Sequence, residues 1–250
     1  MEPAKDVLEN NIEILFESDD VCVINKPSGM SAHKDGTREE ETVADWFVAT
    51  YPHTKGVGEP LELNNGNVVD RPGVVHRLDK HTSGVMILAK KQEAFAHLKE
   101  QFQNRAVEKT YRLFVWGLFK EDEGVIDLPI GRSRGDFRKR SAEFGAKEPL
   151  RDAYTAYKVL KQGVEHSYIE AHPKTGRMHQ LRVHFKAKGR PLVCDPLYAE
   201  KKPCGSDASL GLSRLALHAH TLTLLLPGDT EKKQFTAPVP HDFITAEDAL

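Results

Sequence analysis

Short apolar runs closed by turn signals recur along this chain without the strand-helix-strand spacing of a parallel α/β fold, so the elements read as mixed α and β. Residues 12–16 and 21–25 flank Glu-Ser-Asp-Asp and predict a hairpin. Gly84 to Ala89 predicts a buried strand. "KTYRLFVWG" (109–117) alternates as a strand does, with Tyr111, Leu113 and Val115 on one face. "DAYTAYKVL" and "HSYIEAH" predict a strand pair around Lys161-Gln162-Gly163, and "RLALHAHTLTLLLP" (214–227) one or two more strands.

Helical periodicity is confined to three stretches. Residues 42–51 place Val43, Trp46, Phe47 and Thr50 on one side and stop at Pro52. Residues 92–105 carry Phe95, Leu98 and Phe102 at i, i+3, i+7. Residues 176–188 carry an apolar stripe (Met178, Leu181, Phe185) beside a polar one (His179, Arg182, Lys186), ending at Gly189-Arg190-Pro191. Residues 53–72 are rich in Gly, Pro and Asn and read as a loop; "GRSRGDFRKR" (131–140), with five basic residues and two glycines, reads as a flexible basic loop.

The net charge of −2 hides an uneven distribution. Residues 71–190 hold 25 Lys and Arg against 14 Asp and Glu, and the remainder holds 10 against 23. A basic centre between acidic flanks suits a polyanion partner, or equally a solvated charged surface. Cys22, Cys194 and Cys204 are odd in number and lack a C-x-x-C spacing, so reduced, structural cysteines are expected. No apolar run approaches the ~20 residues of a membrane span, and the acidic start lacks the order of a signal peptide, so a cytoplasmic protein is expected.

"VVHRLDKHTSGVMILAK" (74–90) sets His76, Arg77, Asp79 and Lys80 against an apolar run. A carboxylate at the start of a buried strand can reach a cleft from a rigid anchor. From chemistry alone Asp79 can be a nucleophile, a general base, a metal ligand or a turn cap. His76-Arg77 lacks the D-F-G and glycine-rich loop a kinase needs; H-E-x-x-H, G-x-S-x-G and P-loop patterns are also missing. His218 and His220 have no evident third metal ligand, and no metal site is expected.

"HRLDKHTSG" resembles the H-R-L-D-x-x-T-S-G signature of the RluA-type pseudouridine synthases, and further segments match in that family's order: "NKPSGM", "QFQNRAVEKTYRLFVWG", "DLPIGR", "KTGRMHQLRVH", "PLVCDPLY" and "RLALHA". Together they cover about residues 12–240. The resemblance implies isomerisation of uridine in rRNA or tRNA through an aspartate nucleophile, Asp79, with the target base flipped and no cofactor. It implies that Tyr111 packs on the base, that Arg182 pairs with the catalytic carboxylate, and that Arg77 enters the stack the base leaves. His76 joins the substrate site, and Leu217, or else Leu215, supplies an apolar face. Cys194 stands where the family usually has Gly, and loop 53–72 is longer than expected.

The expected architecture is one α+β catalytic domain (12–240) with a mixed, largely antiparallel sheet flanked by helices and RNA-binding loops. An acidic N-terminal extension (1–11) precedes it and a C-terminal tail (241–250) follows. With only the eleven residues before Ile12 to precede the domain, RNA selection is expected to fall on Arg132, Arg138, Lys139 and Arg140 in the basic loop. Lys174, Arg177, His179 and Lys186 on or before the third helix complete that set. A stem-loop RNA partner, a monomeric state and independence from membranes complete the expectation.

Overall fold

Period-two alternation and buried apolar runs become one large sheet. The computed structural model describes residues 12–34, 40–62, 66, 68–142 and 145–250, so the acidic segment 1–11 lies outside the described residues. Glu13–Glu17 (β1) and Val21–Lys26 (β2) form the expected hairpin, with Ser18 Oγ accepting from the amides of Asp20 and Val21 in its turn. Val43–Thr50 (α1) starts on a capping box of Thr42 and Asp45; its buried side is Val43, Ala44 and Phe47, while Thr50 stays exposed. Within the Gly-rich segment lies a two-stranded ribbon, Leu61–Glu62 (β3) with Val68–Val69 (β4).

Ser83–Ala89 (β5) is buried at every position, Gln92–Gln103 (α2) follows it, and Glu108–Trp116 (β6) buries the face of Leu113 and Val115. Glu123–Asp127 (β7), Ile130–Ser133 (β8), Arg140–Ser141 (β9), Ala146–Arg151 (β10), Tyr154–Gln162 (β11) and His166–Pro173 (β12) come next. Gln180–Ala187 (α3), Leu217–Leu225 (β13), Lys232–Thr236 (β14) and His241–Asp248 (α4) complete the chain. The main sheet runs β1-β2-β5-β13-β6-β12-β11-β7, with β14 also on β13. Every pairing is antiparallel except β5 with β13, so the mixed, largely antiparallel expectation holds.

That parallel contact depends on Gly84. Its φ is 115°, and a Cβ there would stand 2.1 Å from the Ala219 carbonyl oxygen, so only glycine lets the two strands meet.

Several expectations change. The basic segment 131–140 is a loop only over residues 134–139: its two ends, in β8 and β9, pair with each other, and β10 pairs with β8, so that the loop is the tip of a hairpin in a three-stranded sheet. Helix α3 begins at Gln180, not Gly176; His179 is left-handed (φ 58°), so Met178 and His179 do not continue the helical stripes. Lys161 and Gln162 belong to β11 rather than to the turn. The segment set apart as a tail forms α4, whose fully buried Phe243 packs edge-on to Phe114 at 5.3 Å, burial that contributes about 1.5–3 kcal/mol. Cys194 and Cys204 are disulfide-bonded with Cα atoms 5.0 Å apart, so only Cys22 is a free thiol; an odd count concealed a local pair. Cys194 also has φ 54°, which gives the glycine expected there a backbone reason.

Candidate active site

The segment before β5 is clamped from both ends. Val74 bridges Leu88, and the His76 Nε2 accepts from the Ile87 amide at 3.0 Å, so the chain lies along its own following strand. Phe102 of α2 stacks on the His76 ring, centroids 4.5 Å apart. Burial, then the charge of Lys109, pushes His76 down to about 3, which keeps the ring neutral and its Nε2 an acceptor. At the other end the "KPSGM" turn grips the backbone. Gly29 N and the fully buried Lys26 Nζ both donate to the Lys80 carbonyl (2.8 and 3.2 Å), and Ser28 Oγ donates to that of His81 (2.8 Å). Burial lowers the Lys26 ammonium to about 7.

Asp79, held between these clamps, opens a turn through its carbonyl, which accepts from Thr82 N at 3.0 Å. Its half-buried carboxylate does not cap that turn. Oδ2 accepts from Arg182 Nη1 at 3.2 Å and stands 3.8 Å from His179 Nε2. Arg182, on the first turn of α3, is 4% exposed, so the surface phosphate contact open to a helical arginine is not available to it. Its Nε and Nη2 donate to the two oxygens of Asp195, each at 2.8 Å, a bidentate geometry. Burial alone would lower the Arg182 pKa; the hydrogen bonds and charge of Asp195, then Asp79, raise it instead, and the guanidinium stays charged.

Asp195 is itself fixed: Oδ1 also accepts from the amides of Leu197 and Tyr198. Tyr198 closes the circuit, its hydroxyl lying 2.9 Å from His179 Nδ1 and accepting from Arg140 N at 2.8 Å, which ties the β8–β9 hairpin to the site.

Asp79, His179 and Arg182 face a cavity of about 640 Å³, with Asp195 and Tyr198 behind them. Tyr111 and Leu217 line it from adjacent strands β6 and β13, and His76, Arg77, Thr82 and Phe102 line it near Asp79. Burial, then the Asp79 charge, raises the Tyr111 pKa, so its hydroxyl keeps its proton. Arg77 is exposed, and its Nη1 lies 3.0 Å from His33 Nε2. Lys174, Arg177 and His179 also line the cavity. Arg132, Arg138, Lys139, Arg140 and Lys186 do not; Arg138 pairs with Asp136 at 2.7 Å and Lys139 with Glu200 at 2.6 Å. Leu215 is buried outside it.

Sequence reasoning missed Asp195, Tyr198 and His33. The first two lie in "PLVCDPLY", where a lone acidic residue carries no mark of the arginine it will meet. His218 and His220 are engaged with Ser83 Oγ and the Ala237 carbonyl, and no group of three metal-ligating residues occurs among the described residues.

Residues 20–187 match the family described as RNA pseudouridylate synthase. The chain belongs to that family. The chain is 36% identical over 240 residues to an RNA pseudouridine synthase of Synechocystis sp., covering 95% of this chain and 69% of that protein. It is 38% identical over 238 residues to the ribosomal large subunit pseudouridine synthase D of Neisseria meningitidis, covering 92% of this chain but 59% of that one. The solved structure titled human RNA pseudouridylate synthase domain containing 1 superposes with a TM-score of 0.70 at 28% identity, covering 96% of this chain and 87% of that one. As an RNA pseudouridine synthase, the chain is an isomerase whose sheet and helices match those of its structural neighbours.

Proposed function

We propose that this pseudouridine synthase isomerises specific uridines in structured rRNA or tRNA, with Asp79 as nucleophile and the target base flipped into the cavity. The observation that carries this reading is the Asp79–Arg182 contact at the cavity wall, 3.2 Å long and backed by Asp195. An arginine locked in that position gives the carboxylate a charge-assisted hydrogen bond and aims it.

The reaction breaks the bond from N1 of uracil to C1′ of the ribose, turns the base, and joins C5 to C1′; the proton leaving C5 is balanced by one gained at N1. It has no redox step, so the reading needs no cofactor. A carboxylate serves this either by adding to C6 of the ring or by taking C1′ as the bond breaks, and the same Asp79 oxygen serves both routes.

Extruding the base costs a few kcal/mol, which contacts in the pocket offset. Tyr111 offers an aromatic face and Leu217 an apolar one. Arg77, exposed beside the cavity and steadied by His33, is placed to enter the vacated stack, where a guanidinium plane can pair with unpaired base edges. An rRNA target is favoured by the name of the Neisseria relative. No helix among the described residues is long and apolar enough to cross a membrane. This reading takes the protein to act on RNA as a cytoplasmic monomer. Mapping pseudouridines in rRNA and tRNA from cells with and without the gene tests the reading. A site lost on deletion and restored by the wild-type chain is the expected result; identical maps would contradict it.

A further inference from the structure

Arg105 stands directly after the last turn of α2 with φ 58°. That is the position where helices most often place glycine, because a side chain in left-handed backbone meets its own carbonyl. The backbone closes the helix there, the Ala106 amide donating to the Gln101 carbonyl at 2.9 Å and the Arg105 amide to that of Phe102 at 3.4 Å, while the Arg105 side chain makes no hydrogen bond or ion pair among the described residues. It lines the cavity instead.

Its neighbours in the cavity wall are Lys109, Arg151, Lys174 and Arg177, and none of the five has an ion-pair partner among the described residues. Lys109 Nζ donates to the Thr175 carbonyl (3.3 Å), Arg177 Nε to that of Asp152 (3.0 Å), and Lys174 lies over the Tyr154 ring at 4.7 Å. Carbonyls and a ring orient these cations without neutralising them. The contrast within the same cavity is sharp: Arg182 is spent on two carboxylates. Burial, then the like charge of Arg105, brings Lys109 down to about 8, and burial, then Arg151 and Arg105, lowers Arg177, with Asp152 opposing. Such a cluster lacks an anion.

We propose that Arg105, Lys109 and Arg177 form a phosphate clamp that holds the RNA backbone beside the nucleotide whose base reaches Asp79. The clamp rests on the reading of this cavity as the uridine site. It assigns the turn after α2 and the start of β6 to substrate binding, apart from the chemistry.

The test uses the full chain and a uridine-containing stem-loop RNA, with affinity measured by fluorescence anisotropy over a range of KCl concentrations. Arg105→Gly and Lys109→Gln should each raise Kd about three- to tenfold near 0.1 M salt and reduce the slope of log affinity against log salt by about 1. Arg105→Gly should also hold or raise the thermal midpoint, because glycine relieves the backbone. Unchanged Kd and slope in both variants, or a fall in midpoint for Arg105→Gly, would overturn the clamp. Conversion of uridine by the wild-type chain is read separately on the same RNA. Loss of slope without any wild-type conversion supports the clamp and contradicts the isomerase reading; conversion with unchanged slopes overturns the clamp alone.

Discussion

Asp195 and Arg182 are joined by two parallel hydrogen bonds of 2.8 Å, and the guanidinium's remaining nitrogen reaches Asp79 at 3.2 Å. One carboxylate is thus the anchor and the other the group aimed into the cavity. Asp195→Ala leaves a buried guanidinium with a single partner, and a stability loss of about 3–5 kcal/mol is expected in chemical denaturation. Asp195→Asn preserves shape but lets Arg182 drift. Single-turnover kinetics should show a rate reduced by about a hundredfold with RNA affinity within about twofold of wild type.

The lowered pKa of Lys109 gives a pH dependence with a defined sign. In the free protein Lys109 sheds its proton near pH 8, whereas a phosphate beside it favours the charged form. RNA affinity supported by this residue is therefore fully present below about pH 8 and falls as pH rises through it. Kd measured from pH 7 to 9.5 should rise in wild type and stay flatter in Lys109→Arg, whose guanidinium keeps its charge over that range.

The parallel junction of β5 and β13 should not tolerate a side chain. Gly84→Ala puts a Cβ 2.1 Å from the Ala219 carbonyl at φ 115°, so an unfolding free energy lower by at least about 3 kcal/mol, or failure to fold, is expected from urea titration.

Thiol titration checks the disulfide. Denatured without reductant, the chain should expose one reactive thiol, that of Cys22; after reduction it should expose three.

Much of this molecule was legible because its strands advertise themselves. The alternation of Tyr111, Leu113 and Val115 became a face of β6, and the unbroken apolar run of β5 became a strand covered on both sides. Asp79, Arg182, Tyr111 and Leu217 were named from motifs and do converge on one cavity. What stayed hidden depends on long-range contact or on local backbone choice. Nothing near Asp195 reveals that Arg182, thirteen positions earlier, will turn toward it across a helix and a loop. Arg105 is a type that rarely adopts left-handed backbone, so composition gave no warning of its φ of 58°. The loop at 134–139 was legible in its charges and glycine, but the strand pairing at its two ends was not.

The central claim, that the carboxylate of Asp79 performs the chemistry, is tested most directly by Asp79→Asn on an RNA the wild-type chain converts. The amide is nearly isosteric and can still meet Arg182 through its oxygen, yet it is not a nucleophile. Pseudouridine formed under single-turnover conditions, counted by nucleoside mass spectrometry, should fall by at least about a thousandfold while RNA affinity and the thermal midpoint stay close to wild type. Conversion by Asp79→Asn within about tenfold of the wild-type rate would contradict the account.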